Sequence, residues 1–284
     1  MTRTLKTTCF QLSLEKQDNY DLVKEKILNF HQANDKTDLY VLSELCVGGP
    51  GADKSEYYLE KYLSKFQEIA SDLGIWIIPG TFYEKVDNKI FNVAPVINSS
   101  GSLVTKAKKI FPWLPYEKGV ESGDDVCVFE MPNIGKIGVH ICYDLWFPEI
   151  SRMQALNGAE LIINPTLTPT KDREIETVMA RAVAAQQQLF YLDVNSCGDQ
   201  GCGKSIVCDY NGEVVHESKG SEDIFTVELN LEDARESRKN GIYDLGQPLK
   251  SFRDHKIFSE LYDSKNLGYL ASLGPLQEKN KDKK

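Results

Sequence analysis

The stretch KIGVHICYDLWFPEI (residues 136–150) decides the fold class. Its first half is apolar, as in a buried strand that runs to Cys142. Pro148 indicates the start of a helix, because the missing N–H of proline costs nothing in a first helical turn. Cys142 is therefore predicted to lie at a strand-to-helix turn. Such a turn projects a side chain out of the sheet and leaves backbone N–H groups free to stabilise an oxyanion.

Strands and helices alternate on both sides of this stretch. Short apolar runs at 38–44 and 159–166 are typical of buried strands, and the spacing of apolar residues predicts helices over 55–73 and 173–188. Two hairpins are predicted around 99–101 and 133–135. Strands buried on both faces and separated by helices indicate an α/β sheet that is covered on at least one side.

The domain organisation follows from where this alternation stops. Residues 1–230 are predicted to form one α/β domain. Residues 231–284 are charged and irregular, and they are predicted to form a C-terminal extension that packs on the domain or on a partner subunit.

Composition excludes several classes of protein. The chain has 284 residues, with 33 Lys+Arg against 42 Asp+Glu and a net charge of −9. An acidic chain without a basic stripe is not expected to bind nucleic acid. It has no apolar run near the ~20 residues of a membrane span, and no signal peptide is recognisable at its N-terminus. We therefore expect a cytoplasmic protein that does not bind a membrane.

The seven cysteines are odd in number and widely spread, so reduced thiols are expected. Cys197 and Cys202 are the closest pair. Zinc ligation there is a weaker hypothesis than two ordinary strand or loop cysteines, because no second pair with histidine completes the ligand set.

Cys142 has two interpretations: a buried strand cysteine, or a nucleophile for acyl transfer. A nucleophilic thiol needs a base. His140 is two residues away, but side chains at i and i+2 stand parallel and ~7 Å apart along a strand, so His140 is predicted to be a core residue. The other histidines, His31, His216 and His255, lie in segments without a companion signal.

Two further strands end in ionisable residues. Glu44 ends the apolar run 38–44, where burial would raise the pKa of its carboxyl group towards that of a useful base. Lys109 ends another strand, just before the loop FPWLPYEKG (111–119). Taken singly, each is a solvated strand end or an edge-strand charge. Ligands bind at the carboxyl ends of strands in open α/β sheets, so Glu44, Lys109 and Cys142 are predicted to converge. A cation beside the thiol is expected to favour the thiolate.

These residues resemble a known family. Glu44, Lys109 and Cys142, in this order, are similar to the Glu–Lys–Cys triad of the nitrilase superfamily of carbon–nitrogen hydrolases. CYDLWFPE (142–149) resembles that family's nucleophile turn, and GAELIINPT (158–166) resembles the segment that follows. KIFPWLPYEKG (109–119) is most similar to the aliphatic amidase and formamidase branch.

The resemblance implies a fold and an assembly. The fold is a two-layered β-sandwich flanked by helices (αββα). The subunits are expected to pair into a four-layered homodimer or a higher homo-oligomer.

The resemblance also implies residue roles. Cys142 is the expected nucleophile and Glu44 the general base. Lys109 and the backbone N–H of Tyr143 are expected to stabilise the oxyanion, and Glu117 is the expected second, positioning glutamate. No metal or organic cofactor is required. The candidates for pocket walls are Trp113, Thr166 and Leu167.

The implied activity is hydrolysis of a small linear carboxylic amide to acid and ammonia through a cysteine thioester. An amide is favoured over a nitrile, because Tyr143-Asp144 follow the cysteine where nitrile-cleaving relatives have Trp-Glu. Three alternatives stay open: an N-carbamoyl amidase, an ω-amidase, or a non-catalytic binding module on the same fold.

Overall fold

Two mixed β-sheets lie face to face, and helices cover their outer surfaces. The computed structural model describes residues 3–34, 37–114, 116–256 and 268–275. Within these residues the first sheet contains, in spatial order, β15 (Asp223–Asn230), β1 (Thr4–Gln11), β3 (Leu39–Leu42), β4 (Trp76–Ile78), β6 (Lys89–Ile97) and β5 (Phe82–Val86), with β7 (Leu103–Lys108) also paired to β6. The second contains β14 (Val214–Glu217), β13 (Ile206–Cys208), β11 (Phe190–Asn195), β10 (Leu161–Thr166), β9 (Gly135–Val139) and β8 (Cys127–Met131). A small ribbon pairs β2 (Ser13–Leu14) with β12 (Cys197–Gly198).

Helices pack on both outer faces. The first sheet is covered by α1 (Tyr20–Ala33) and α2 (Leu59–Leu73), and the second by α3 (Pro148–Leu156) and α4 (Arg173–Gln187). The later helices are α5 (Leu231–Asn240), α6 (Pro248–Asp254) and α7 (Gly268–Ala271). Among the described helices, none has the length and apolar character needed to cross a bilayer.

The apolar runs of the sequence correspond to strands buried on both faces. In β3, Leu39 and Val41 join the core between the sheets, whereas Tyr40 and Leu42 contact the residues of α1 and α2. β10 is buried throughout in the same way. This two-sided burial explains the continuous apolar runs. The predicted αββα sandwich is confirmed, and the pairing of subunits stays a prediction.

The segment around the nucleophile candidate differs from the prediction at one boundary. β9 ends at Val139, and a 3₁₀ turn spans Cys142–Trp146 before α3 begins at Pro148. The predicted strand was therefore three residues too long. The Asp144 carboxylate accepts the Ile141 N–H at 3.0 Å, which takes this N–H out of the sheet ladder. Both predicted hairpins, β6–β7 and β8–β9, are confirmed.

The described part of the predicted extension packs on the preceding α/β domain. Leu231 and Ala234 of α5 join the core between the sheets. Arg238 of α5 is fully buried and donates to the Ala159 carbonyl oxygen at 2.5 Å and the Gln188 carbonyl oxygen at 2.9 Å. Leu249 of α6 packs with Leu156 of α3. Residues 257–267 and 276–284 of the predicted extension lie outside the described residues.

The turn after β3 depends on a close approach to Gly80. Gly80 has φ +75°, and a Cβ atom there would lie 2.0 Å from the Ser43 carbonyl oxygen. Next to it, Thr81 accepts the Leu45 N–H on its hydroxyl at 3.1 Å. Gly80 therefore lets the turn that follows β3 lie directly against the neighbouring chain segment.

We predict that Gly80→Ala lowers the free energy of unfolding by about 2–4 kcal/mol, because the new methyl group meets backbone and the left-handed φ disfavours alanine. Urea denaturation measures the change. Gly246→Ala is the matched control, since no atom lies within 4 Å of the added Cβ, and it is expected to change stability by less than about 0.5 kcal/mol. Equal effects of the two substitutions would contradict the argument.

Candidate active site

Glu44 lies in the turn that follows β3, between the two sheets. Its backbone N–H donates to the Thr166 carbonyl oxygen at the end of β10, at 3.2 Å, which ties the first sheet to the second. Leu45, the next residue, has φ +47°. Left-handed backbone at a residue with a side chain is uncommon, and such strain concentrates at functional sites.

Lys109 follows β7 directly and reaches two carboxylates. Its ammonium Nζ lies 2.8 Å from Glu44 Oε1 and 2.7 Å from Glu117 Oε2. All three residues are buried, at 2–3% exposure. Two carboxylates and one ammonium carry a net charge of −1, so this cluster (Glu44, Lys109 and Glu117) is anionic when all three are ionised.

Asn92 of β6 hydrogen-bonds to both carboxylates of the cluster. Its side-chain amide donates to Glu44 Oε1 at 2.8 Å and to Glu117 Oε1 at 2.7 Å, so one amide group bridges both carboxylates. Glu117 also accepts the Trp113 backbone N–H at 2.7 Å. These donors favour the ionised carboxylates and fix their orientation.

Cys142 opens the 3₁₀ turn with φ +48°. Its thiol lies near the Leu167 carbonyl oxygen, at 3.9 Å, and the Thr168 hydroxyl, at 4.0 Å. An interaction with the thiol lowers the pKa of the Glu44 carboxyl group. Among the described residues, no acceptor takes the backbone N–H of Tyr143.

Burial and the anionic cluster set the protonation states. Burial raises the pKa of the Cys142 thiol well above its ordinary value; Glu44 adds to this and Lys109 opposes it. Lys109 thus favours the thiolate, as expected, but burial and Glu44 outweigh it, so the neutral thiol is the favoured form. Burial raises the pKa of Glu44, although Lys109 opposes the shift. For Lys109, burial alone would lower the pKa, but Glu44, Cys142 and Glu117 outweigh it and raise the pKa well above its ordinary value.

One cavity of about 220 Å³ reaches all four side chains, Glu44, Lys109, Glu117 and Cys142. Trp113 and Leu167 line it. Thr166, the third candidate for a pocket wall, is not among the described residues that line it. Its hydroxyl donates instead to Asp193 Oδ2 at 3.1 Å, and its carbonyl oxygen holds the Glu44 N–H.

The convergence of the three strand ends has a different basis from the one predicted. Convergence was predicted from the strand ends of one open sheet, whereas the family resemblance implied two packed sheets. In the structure Glu44 and Lys109 follow strands of the first sheet, whereas Cys142 follows β9 of the second. The site therefore forms where two packed sheets meet.

Three residues of the site were missed by sequence reasoning. Asn92 is a polar residue in the apolar run of β6, which is the one signal that could have found it. Tyr83 lines the cavity, and its buried hydroxyl has no hydrogen-bond partner among the described residues. Asp144 accepts N–H groups from both sides of the site.

Asp144 joins the nucleophile turn to the loop that follows Lys109. Its carboxylate accepts the Phe111 N–H at 2.8 Å, the Ile110 N–H at 3.2 Å and the Ile141 N–H at 3.0 Å. Burial raises the pKa of Asp144 to about 7, although these N–H groups and Lys109 oppose the shift.

His140 and Cys202, which were also considered in the sequence, make contacts outside the candidate active site. His140 contacts the Tyr191 hydroxyl at 2.7 Å and Gln154 Oε1 at 3.1 Å, and burial lowers its pKa to about 3, as suits a neutral core residue. Cys202 donates to the Thr168 carbonyl oxygen at 3.2 Å. The described residues contain no group of three His, Cys, Asp or Glu side chains arranged to hold a metal ion.

A family model described as Carbon-nitrogen hydrolase matches residues 6–239. The chain therefore belongs to the carbon–nitrogen hydrolase family, and the predicted membership of the nitrilase superfamily is confirmed. The class is that of hydrolases that act on carbon–nitrogen bonds.

Individual proteins agree with this class. The chain is 30% identical to "Hydrolase in agr operon" of Staphylococcus aureus over 218 residues, 73% of this chain and 84% of that protein. It is 33% identical to formamidase of Bacillus cereus (strain G9842) over 168 residues, 55% of this chain and 50% of that protein. Saccharomyces cerevisiae Nit3, a member of branch 10 of the nitrilase superfamily, has a similar structure, with a TM-score of 0.75 at 25% identity, covering 83% of this chain and 93% of that one.

The raised pKa of Asp144 predicts a pH dependence of stability. The unfolded carboxyl group loses its proton near pH 4, whereas the folded one keeps it until about pH 7. Between these values the folded state holds more protons, so this group lowers the free energy of unfolding as pH rises, by up to about 1.4 kcal/mol per pH unit.

We expect Asp144→Asn to remove this slope. Urea denaturation of both proteins at several pH values from 4 to 7 gives the difference, in which the titration of other groups cancels. Parallel stability curves for the two proteins would contradict the assignment.

Proposed function

We propose that the protein is a thiol-dependent amidohydrolase that cleaves a small linear carboxylic amide to acid and ammonia. The observation that carries the proposal is the Lys109 ammonium held between Glu44 and Glu117, in one cavity with the Cys142 thiol. Thiol, base and cation are the groups that acyl transfer requires.

Acylation begins with the neutral thiol. Cys142 Sγ attacks the amide carbon as its proton passes to Glu44, whose raised pKa makes its carboxylate a stronger base. The C=O bonding pair moves to the oxygen, which becomes an oxyanion. The Lys109 ammonium and the Tyr143 N–H stabilise that charge.

The tetrahedral intermediate then collapses. The C–N bond breaks, and Glu44 returns the proton to the leaving nitrogen, which departs as ammonia. The acyl group stays on Cys142 as a thioester.

Deacylation repeats the sequence with water. Glu44 takes a proton from the attacking water, a C–O bond forms, and the C–S bond breaks. The sulfur recovers its proton and the acid is released. Glu117 acts through Lys109, because it fixes the ammonium without contacting the reacting atoms.

The apolar walls of this first cavity support uncharged carbon atoms of the acyl group directly beside the reacting carbon. Leu45, Tyr83, Trp113 and Leu167 provide apolar surface. The net negative charge of the catalytic cluster disfavours a second carboxylate close to the nucleophile, so an ω-amidase preference for dicarboxylate monoamides is less well supported. Membership of a hydrolase family and the presence of all the catalytic groups favour an enzyme over a binding module.

We predict that Cys142→Ala lowers ammonia release from short aliphatic amides by at least about 10³-fold, because no other group forms the thioester. Circular dichroism checks that the fold is kept. The half-buried Cys127→Ala is the matched control and is expected to keep turnover. Mass spectrometry during turnover should find the acyl adduct on the peptide that contains Cys142. Undiminished turnover in Cys142→Ala would refute the role of the thiol.

We also predict that Asn92→Leu moves the acid limb of the kcat/KM profile to higher pH. Glu44 must be ionised to act as a base, and loss of the amide donor removes an interaction that favours its charged form, so its pKa rises further. The plateau rate is expected to fall about 10²-fold through misplacement of the base.

The pH profile separates this role from simple loss of structure. Asn29→Leu, on the exposed side of α1, is the control and should leave the limb in place. An acid limb at the same pH in Asn92→Leu and the unmodified protein would count against Glu44 as the base that Asn92 supports.

A further inference from the structure

A second cavity, of about 200 Å³, meets the nucleophile from another side. It shares Cys142, Trp113, Leu167 and Pro169 with the first cavity. Of the described residues that line it, none is a member of the Glu44, Lys109 and Glu117 cluster. Cys142 therefore lies at the junction of two spaces, only one of which contains the groups that handle the amide.

Aromatic side chains form much of the second cavity. Trp113, Tyr143 and Trp146 line it, and the rings of Tyr143 and Trp146 lie 6.2 Å apart at 42°. Tyr143 and Trp146 are only partly buried, so their rings are accessible from the cavity. The Trp146 indole N–H donates to Glu176 Oε1 at 3.3 Å, which fixes the ring beside a carboxylate.

The charged side chains that line this cavity are acidic. They are Asp172 and Glu176; the described lining residues include no lysine, arginine or histidine. Arg173 lies behind Glu176 and is divided between Glu176 Oε2, at 3.2 Å, and Asp193 Oδ1, at 2.5 Å. The single positive charge of Arg173 thus faces the two negative charges of Glu176 and Asp193, so these three side chains carry a net charge of −1 when all are ionised.

The charged side chains that line the first cavity are also negative in sum. Glu44 and Glu117 outnumber Lys109 in its depth. At its rim Lys16 is accompanied by Asp199. The charged side chains around Cys142 are therefore negative in sum, and they favour a cationic substrate over an anionic one.

We propose that the second cavity binds the acyl chain of amides that carry an alkylated ammonium group. The inference rests on the proposed amidohydrolase function and names its substrate class. Faces of tryptophan and tyrosine next to carboxylates are the chemistry that recognises quaternary and alkylated ammonium ions. The acyl chain is the part of the substrate that fits there, because the amide oxygen and nitrogen are served by Lys109 and Glu44 in the first cavity.

Three amides of matched length test the proposal. They are 4-(trimethylammonio)butanamide, its uncharged isostere 5,5-dimethylhexanamide, and glutaramate as the anionic member. We expect kcat/KM for the cationic amide to exceed that of the isostere at least about 10-fold, with glutaramate the poorest. Equal values for the first two, or a preference for glutaramate, overturn the proposal.

Variants locate the preference. Glu176→Gln should reduce the ratio of cationic to neutral kcat/KM about 10-fold, whereas Glu174→Gln, on the exposed side of the same helix, should leave it unchanged. Trp146→Leu keeps every charge and should also reduce this ratio. It tests the cavity independently if Glu176→Gln unfolds because the contact with Arg173 is lost. A ratio unchanged in both Glu176→Gln and Trp146→Leu overturns the assignment to this cavity.

Binding separates this proposal from the proposed function. Calorimetry with Cys142→Ala measures the affinity for the same three amides without turnover. About 10-fold tighter binding of the cationic amide than of the isostere supports the cavity assignment even if no amide is hydrolysed, and equal affinities overturn it. Absence of ammonia release from all short amides, by contrast, refutes the amidohydrolase and leaves the binding result to stand alone.

Discussion

The burial of the Lys109 ammonium between Glu44 and Glu117 is the constraint on which the site depends. An isolated ion in a protein interior costs several kcal/mol, and removing one partner of a buried pair leaves an uncompensated charge. The ammonium has its two carboxylates only where the turn after β3, the end of β7 and the segment around Glu117 meet. Those three segments are therefore held in one arrangement by charge, and Asn92 supplies the donors that the carboxylates would otherwise take from water.

The same cluster determines how the cysteine works. Burial raises the pKa of the Cys142 thiol well above its ordinary value, Glu44 adds to the shift, and Lys109 opposes it without reversing it. In the proposed mechanism the thiol therefore becomes nucleophilic only as its proton moves to Glu44 during attack. Charge then develops only when a substrate carbonyl is present to receive it.

The sequence predicted the elements better than their arrangement. The runs at 38–44 and 159–166 are apolar on both faces, which indicates that each face is buried but not what covers it. In the structure, the other sheet covers one face of each strand. Only the family resemblance implied this sandwich. Asn92 escaped notice because its partners are 25 and 48 residues away in the chain. The end of β9 was misplaced because Ile141 and Cys142 are apolar and continue the strand pattern. The Asp144 carboxylate accepts the Ile141 N–H, and the spacing of apolar residues does not reveal such a local contact.

The site is complete only when the two sheets are packed together. Glu44 and Lys109 follow strands of the first sheet and Cys142 follows a strand of the second, so the distances between them depend on how the two sheets pack. Several of the hydrogen bonds that cross between the layers involve residues of the site or of the nucleophile turn. The Glu44 N–H donates to the Thr166 carbonyl oxygen, and the N–H groups of Ile110 and Phe111 donate to Asp144. In the proposed mechanism, a change that loosens the core between the sheets displaces the thiol from Glu44, so we expect the proposed activity to depend on how well the two sheets pack.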